Sequence, residues 1–221
     1  MNHFVFSASL AFFSTLIAGL FFVFKKGETA RIFGLYWLSI TFWSFTVAFQ
    51  YQLLKFVPDY IWGWFLHLGC IYIPVFFFHF AIYYSGYLQD ELLALKISYA
   101  IATVFILFNT FTPFFTYHTV YTDAYAYPRP AILYPLYFVF FVSVVLWGTI
   151  LLIRPKRKLS DVSRNRLLLF LILNGLAYSG AVDNFLIMAD IRIFPLYPFG
   201  LYFVTPYAVI GSYTVSKSLG K

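Results

Sequence analysis

The chain has 221 residues, of which 62% are hydrophobic and only 10% are charged. A soluble domain usually has about 25% charged residues, so this composition excludes an ordinary soluble domain and predicts an integral membrane protein, with the lipid bilayer as its first partner. The net charge of +7 does not indicate nucleic-acid binding, because the basic residues lie almost entirely between the apolar stretches, which is typical of membrane topology.

Seven stretches are long and apolar enough to cross a bilayer, which takes about 20 residues of helix. In chain order they are 4–24, 32–54, 60–84, 92–111, 132–153, 167–187 and 196–216. No basic segment precedes the first stretch, so we expect a retained span rather than a cleaved signal peptide. The predicted fold class is all-α: a polytopic membrane protein in which residues 1–221 form a single bundle of seven transmembrane helices.

The lysines and arginines predict the orientation of this bundle. With the N-terminus outside, the outer segments hold only Lys55, Arg129 and Arg192. The inner segments then hold twelve basic residues: Lys25, Lys26, Arg31, Lys96, Arg154, Lys156, Arg157, Lys158, Arg164, Arg166, Lys217 and Lys221. Because Lys and Arg are in excess on the cytoplasmic side, we expect the N-terminus outside and the C-terminus in the cytoplasm.

One connection, residues 112–131, is much longer than the others. It contains Pro113, Pro128, Pro130 and several tyrosines. A loop of this length in a compact protein is usually functional or disordered. Its aromatic content favours a lid over the outer mouth of the bundle, with disorder as the alternative.

The sixth stretch carries an acid inside the membrane. Gly175, Ser179 and Asp183 are spaced at i, i+4 and i+8 and so share one helix face. Since small residues allow a neighbouring helix to approach closely, we expect this face to point into the bundle. Three roles stay open for Asp183: a structural acid paired with Arg192 or a hydroxyl, a group that senses a proton or ligand, and a solvated acid at the interface.

The third stretch carries a stripe at helical spacing formed by Trp64, His67, Ile71, Pro74 and Phe78. Pro74 predicts a kink. His67 is expected at about the depth of Asp183, so a hydrogen bond between the two is geometrically possible. Both a structural role and a role in a pocket stay open for His67.

The pattern of candidate ligands argues against catalysis by this chain. A haem held between helices takes histidines from two facing spans, whereas both intramembrane histidines, His67 and His79, lie in the third stretch. A zinc site takes three or four ligands, and only Cys70 lies near His67. The last stretch has no buried lysine of the kind that holds retinal. We therefore predict no catalytic residue, no metal and no cofactor.

Polar and aromatic residues recur at the outer ends of six stretches. They form either an aromatic belt with ordinary helix packing, or a mostly apolar pocket with a few polar groups, which suits an amphiphile. In the pocket interpretation the polar anchors are His67, Asp183 and Asn184. The residues that shape the pocket are Gln50, Trp64 and Tyr202.

The segment from Trp64 to Phe80 resembles the third span of the seven-helix N-terminal sensor region of bacterial histidine kinases. In both, a small residue precedes a proline and a bulky apolar run that ends in Phe. Residues 164–184 are similar to the sixth span of that region, with a basic start, a glycine-containing middle and a polar end. Residues 191–200 resemble its Pro- and Gly-containing turn into the seventh span, whose aromatic end is similar to Tyr207–Tyr213. The resemblance covers nearly the whole chain.

This resemblance implies a signal-input domain in the bacterial inner (plasma) membrane, homodimeric if it is attached to a kinase. Some relatives sense lipophilic signals such as acyl-homoserine lactones. Relatives continue from the seventh span into a cytoplasmic kinase, so any kinase activity is expected beyond Lys221.

We therefore expect a lipophilic or amphiphilic ligand of acyl-chain type in the outer half. The output is expected to be a displacement of the last helix, where Pro198 and Pro206 would localise bending. The alternatives are a small transporter or channel, and a scaffold that packs against partner helices. The lack of an internal repeat weakens the transporter alternative.

Overall fold

The computed structural model describes residues 3–121, 126–156, 160–188 and 200–219, which are mostly helical. The elements in chain order are α1 (His3–Phe24), α2 (Glu28–Ala48), α3 (Gln50–Phe56), α4 (Asp59–Ser85), α5 (Leu88–Phe111), β1 (Thr116–Tyr121), β2 (Ala126–Pro130), α6 (Tyr134–Ile153), α7 (Asp161–Met188), α8 (Gly200–Pro206), a π-helical segment (Tyr207–Gly211) and α9 (Ser212–Leu219). Together α8, the π segment and α9 are called the last helix below.

Four helices in the described part of the chain are long and apolar enough to cross a membrane. They cover Val5–Phe24, Ile61–Ser85, Leu88–Phe111 and Tyr134–Ile153, which correspond to the first, third, fourth and fifth predicted stretches. The prediction of a helical membrane protein is confirmed, with a small β-hairpin added between the fourth and fifth stretches. The count of seven spans and their orientation stay predictions.

The second predicted stretch differs from the structure because α2 is interrupted. It ends at Ala48, and α3 begins at Gln50. The backbone leaves helical geometry at Phe49, where φ is −101° and ψ is 15°. Helical hydrogen bonds continue on both sides, from the Phe49 N–H to the Phe45 carbonyl and from the Leu53 N–H to the Phe49 carbonyl. The helical geometry is therefore interrupted at one residue, which an apolar run in the sequence does not reveal.

At the centre of the bundle lies α4, which contacts α2, α5, α6 and both strands. The helices around it form a closed series, in which α1 packs on α2, and the last helix packs on both α1 and α7. By contrast, α5 packs mainly against α4. Its outer face is apolar and exposed, as at Leu93 (70%) and Leu107 (50%), which is the surface that a helix presents to lipid.

Close contacts between α2 and its neighbours depend on glycine. A Cβ on Gly69 of α4 would lie only 2.7 Å from the Ser39 carbonyl oxygen of α2. A Cβ on Gly34 of α2 would lie 2.6 Å from the backbone nitrogen of Val23 in α1. These backbones therefore pack directly on each other, which only a missing side chain permits.

The prediction that Gly175 and Ser179 mark the inward face of α7 is wrong, because both residues are exposed. The buried residues of this helix include Phe170 and Asn174. The physical reason is that the interior next to α7 is filled by aromatic rings, so no small-residue contact forms there. Asp183 belongs to the backbone of α7, but its side chain lies outside the described residues.

One end of the bundle is held by cations, and we call it the basic end. The Lys25 ammonium group of α1 donates to the carbonyl oxygen (3.2 Å) and the hydroxyl (3.0 Å) of Ser216 in α9. Arg166 of α7 donates to the Lys217 carbonyl at 3.4 Å. Because the last carbonyls of a helix have no partner inside that helix, these two cations fix the end of α9 to α1 and α7.

Candidate functional site

The long connection forms an antiparallel β-hairpin across the other end of the bundle, which we call the hairpin end. Thr119 of β1 lies opposite Pro128 of β2, and Tyr121 lies opposite Ala126. Both strands contact α4. The connection is thus ordered over residues 112–121 and 126–131, as the lid interpretation predicts, while the turn between the strands lies outside the described residues.

Phe115 anchors the hairpin in the bundle. This side chain is 0% exposed, and its ring lies 5.2 Å from that of His67, 5.3 Å from those of Tyr134 and Tyr137, and 5.9 Å from that of Phe105. It therefore forms a wedge between α4, α5 and α6. Sequence reasoning missed Phe115 because it lies in a loop. The available signal was an aromatic pair, Phe114 and Phe115, directly after a proline.

Gln50 fixes the second strand. Its side chain is 1% exposed, and its Oε1 accepts a hydrogen bond from the Ala126 N–H at 2.9 Å. Nearby, a Cβ on Gly63 of α4 would lie 3.3 Å from the ring of Pro128, so β2 rests directly on α4. Gln50 was predicted to shape a pocket, and the structure places it where it determines the position of the hairpin.

His67 lies under the hairpin, 1% exposed. Its Nδ1 is 2.8 Å from the Gly63 carbonyl oxygen, and its Nε2 is 3.4 Å from the Tyr134 hydroxyl. A carbonyl oxygen only accepts, so Nδ1 carries the proton and donates, and in the neutral ring Nε2 is an acceptor. Both ring nitrogens thus have partners on α4 and α6. The side chains of Asp183 and Asn184 lie outside the described residues, so the predicted contact of His67 with Asp183 stays a prediction.

A groove of about 640 Å³ lies beside the hairpin, between α4 and the end of α5. A volume in the range of about 300–1,000 Å³ fits a small organic ligand. Much of its wall is apolar and aromatic, and the strand β1 closes one side. The lining residues used below are Ile61, Trp64, Phe65, Asn109, Thr110, Phe111, Tyr117 and His118.

Polar contacts join the two helices at the base of this groove. The Trp64 indole N–H donates to the Thr110 hydroxyl at 2.6 Å. The Asn109 amide nitrogen donates to the Trp64 carbonyl at 3.2 Å. Asn109 is 8% exposed, and its Oδ1 has no hydrogen-bond partner in the described ranges. An unpaired buried acceptor costs about 1–3 kcal/mol. Because protein atoms cover this oxygen, a ligand can bring a donor to it only when the Asn109 side chain turns toward the groove.

Among the predicted site residues whose side chains the structure describes, Trp64 alone lines the groove. Gln50 and His67 lie behind it under the hairpin. Tyr202 lies on α8, is 39% exposed and does not line the groove. Asn109 and Thr110, which the sequence places at the outer end of the fourth stretch, are the additional polar groups of the groove, and Tyr117 and His118 were not predicted.

A second polar cluster lies deep in the bundle, where it connects three helices. The Tyr207 hydroxyl of the π segment donates to Oδ1 of Asn174 in α7 at 2.7 Å. The Tyr36 hydroxyl of α2 lies 3.0 Å from the Tyr207 hydroxyl and donates to it, because the Tyr207 proton is already used. Tyr36 and Tyr207 are 1% exposed and Asn174 is 2% exposed. We call this group the tyrosine cluster. Sequence reasoning missed it because tyrosines in apolar stretches resemble an interfacial belt.

These features define a class: a polytopic helical membrane protein that is capped by a hairpin at one end and has its last helix tied to the core by buried hydroxyls. The sequence model of a family described as the N-terminal 7TM region of histidine kinase matches residues 6–215. The chain belongs to this family, and the resemblance noted in the sequence is confirmed. Neither a curated protein nor a solved structure matches the chain. The matched region is the sensor input part of these kinases.

Proposed function

We propose that the chain is the input domain of a sensor histidine kinase that binds an amphiphile of acyl-chain type in the groove beside the hairpin. In this proposal seven helices span the bacterial inner membrane, the hairpin end is outside, and the basic end is in the cytoplasm, where Lys and Arg are in excess. Family membership supports the input role. The groove at the hairpin end is the observation that carries the ligand class.

The chemistry of the groove supports an amphiphile. Phe65 is 37% exposed and Phe111 is 77% exposed, so the apolar wall is open toward the surface that lipid covers. The unpaired Oδ1 of Asn109 and the exposed His118 lie at the polar side. An acyl chain would lie against the aromatic wall, and an amide N–H or hydroxyl at its head would donate to Asn109.

Ring contacts from the hairpin to α7, and a hydrogen bond from the last helix to α7, support coupling between the hairpin and the last helix. Phe115 contacts Tyr137 of α6, and Tyr137 contacts Phe185 of α7 at 5.6 Å. The same helix α7 carries Asn174, which binds Tyr207. A displacement of the hairpin by a ligand would therefore act on α7 and then on the last helix. Contact alone does not establish coupling, so binding and transmission are tested separately.

The binding test uses the chain in nanodiscs and displacement of an environment-sensitive acyl fluorophore by a long-chain N-acyl amide. Trp64→Ala removes an aromatic wall and the bond to Thr110, so we expect affinity to fall about tenfold or more. The control is Trp147→Ala, which removes a 45% exposed tryptophan of α6 outside the groove and is expected to bind like the unmodified chain.

Asn109→Ala tests the polar anchor. Loss of one hydrogen bond is expected to weaken the N-acyl amide about fivefold. The matched methyl ester has no N–H, so its affinity is expected to be unchanged by the same substitution. Equal effects on both compounds would contradict the anchor role of Asn109, and binding that is unaffected by Trp64→Ala would contradict the site. Solute flux across liposomes holding the chain would instead support the transporter alternative.

A further inference from the structure

The last helix does not keep α-helical geometry along its whole length. After α8 ends at Pro206, residues Tyr207–Gly211 form a π turn, and α9 continues from Ser212. A π turn contains one residue more than an α turn, and such bulges occur frequently at functional sites. Pro206 has no N–H and its ring crowds the preceding turn. The wider turn therefore begins directly after the residue that cannot complete the α-helical hydrogen-bond pattern.

One side chain holds both ends of this π turn. Tyr207, its first residue, is bound through its hydroxyl to Asn174 and Tyr36, and its ring lies 4.8 Å from the ring of Trp37. The same ring covers Gly211, the last residue of the turn, where a Cβ would lie 3.1 Å from it. The tyrosine cluster therefore stabilises the π geometry from outside the last helix.

The surroundings offer a second hydrogen-bond arrangement. The Tyr178 hydroxyl of α7 points toward the Tyr36 hydroxyl, but no partner within the described part of the chain meets the geometry of a formed hydrogen bond to it. The Tyr36 hydroxyl can thus exchange its bond to Tyr207 for a bond to Tyr178, which would leave Tyr207 held only by Asn174 and the Tyr36 hydroxyl still paired. Such an alternative lowers the free-energy difference between two arrangements, as a two-state element requires.

We propose that residues 207–211 form a register switch, in which the turn changes between π and α geometry as the bonds of Tyr207 break and form. Conversion to α geometry advances α9 by about 1.5 Å and rotates it by about 100°. A side chain about 5–6 Å from the helix axis then moves by roughly 8 Å. This rotation turns Ser216 away from Lys25. The inference rests on the proposed function in one respect, namely that the last helix is the output.

The test measures the position of α9 without any ligand. Spin labels are attached to cysteines introduced at Ser160 and Lys217, in a Cys70→Ala background in nanodiscs, and the distance between them is measured by pulsed electron resonance. Tyr207→Phe and Asn174→Ala are each expected to shift the distance distribution by several ångströms or to add a second population. Tyr137→Phe is the control, because Tyr137 is equally buried but bonds to the Cys70 carbonyl. An unchanged distribution in both variants would overturn the switch.

Deletion of Val209 separates a register switch from simple loosening. Val209 is 60% exposed, and its removal takes the extra residue out of the π turn. The deletion is expected to retain a single distance population, and Tyr207→Phe is expected to have no further effect in that background. A shift of the same size in both backgrounds would show loosening and overturn the proposal.

A third variant keeps the chain length, so the test does not depend on the folding of the deletion. Gly211→Ala places a methyl group against the Tyr207 ring and is expected to shift the distance as Tyr207→Phe does. Gly148→Ala is its control. A Cβ on Gly148 of α6 would lie 3.0 Å from the Phe77 ring of α4, and neither of these helices contains the π turn. No difference between the two variants would contradict the switch. Because no ligand is used, failure here leaves the binding proposal intact, and failure of acyl binding leaves this result intact.

Discussion

The hairpin end and the basic end of the bundle are held by different kinds of contact. At the hairpin end, aromatic rings around Phe115 and one hydrogen bond from the Ala126 N–H to Gln50 hold two strands over α4. A groove lies open beside these strands. At the basic end two cations bind backbone carbonyls of α9. Ring packing has no fixed direction and tolerates displacement, whereas charge-assisted hydrogen bonds fix a position. The difference agrees with the proposed function, in which the hairpin end receives a ligand and the basic end reports on it.

The largest expected effect is that of removing the aromatic wedge. Phe115→Ala empties a fully buried site, which typically costs about 3–5 kcal/mol of stability. We expect a clear fall in the thermal unfolding midpoint in detergent. The neighbouring residue provides the control: Phe114 is 51% exposed, so Phe114→Ala is expected to change the midpoint little. Similar falls in the unfolding midpoint for the two variants would mean that the hairpin is not anchored through Phe115.

Next in size is the release of the last helix at the basic end. Lys25→Met keeps the apolar stem but removes the hydrogen bonds to Ser216, and bonds to charged groups contribute about 1.5–3 kcal/mol. Amide hydrogen exchange in residues 212–219 is expected to become faster, while exchange in the hairpin stays as it was. Lys26→Met, at an exposed neighbour, serves as the control. Equal exchange in the two variants would rule out a clamp at Lys25.

A smaller effect is expected from loosening the hairpin itself. Gln50→Ala removes the acceptor for the Ala126 N–H, which contributes about 1 kcal/mol. Exchange of the amides of Ala126, Tyr127 and Arg129 is expected to rise about fivefold. Gln52→Ala, at an exposed position of the same helix, is expected to leave exchange unchanged. Exchange that is unchanged in the hairpin would show that Gln50 does not hold the second strand, whereas a change that also reaches α9 would support the proposed coupling through α7.

The smallest effect is expected at the ion pair between Lys156 and Asp90. Their side chains are about half exposed, at 47% and 51%, and exposed pairs contribute little because water screens them. Asp90→Asn is therefore expected to leave the unfolding midpoint unchanged within error, at low and at high salt. A marked, salt-dependent fall in the unfolding midpoint would show that this ion pair stabilises the bundle as strongly as the Lys25 hydrogen bonds do.

The sequence predicted the elements that depend on composition. Long apolar runs located the helices, and the segment from Trp64 to Phe80 indicated the family, which the match to residues 6–215 confirmed. Polarity inside apolar runs also singled out Gln50 and His67, but the partner of Gln50 lies on a strand and the second partner of His67 lies on α6, both distant in sequence. Such contacts depend on tertiary packing, which spacing along one helix cannot give.

Other features had no decisive signal in the sequence. Phe115 is one aromatic residue in a loop rich in them, and Tyr207 is one tyrosine among 19. Pro206 indicated a break in the last helix, but a proline does not specify whether a bend or a π turn follows. Gly175 was assigned to the inward face from small-residue spacing alone, and this failed because aromatic rings, not a close helix contact, fill the interior there.

The peripheral position of α5 has a consequence for how a signal would be measured. α5 packs mainly against α4, with Phe105 also in contact with Phe115 and with Phe140 of α6. The groove between α4 and the end of α5 lies at the side of the bundle, where the exposed ring of Phe111 would face lipid. An acyl compound would reach it after partitioning into lipid. Under the proposed function, the quantity that determines occupancy is then the mole fraction of the compound in the leaflet at the hairpin end. Apparent affinities expressed per volume of water should accordingly change with the amount of lipid in the assay.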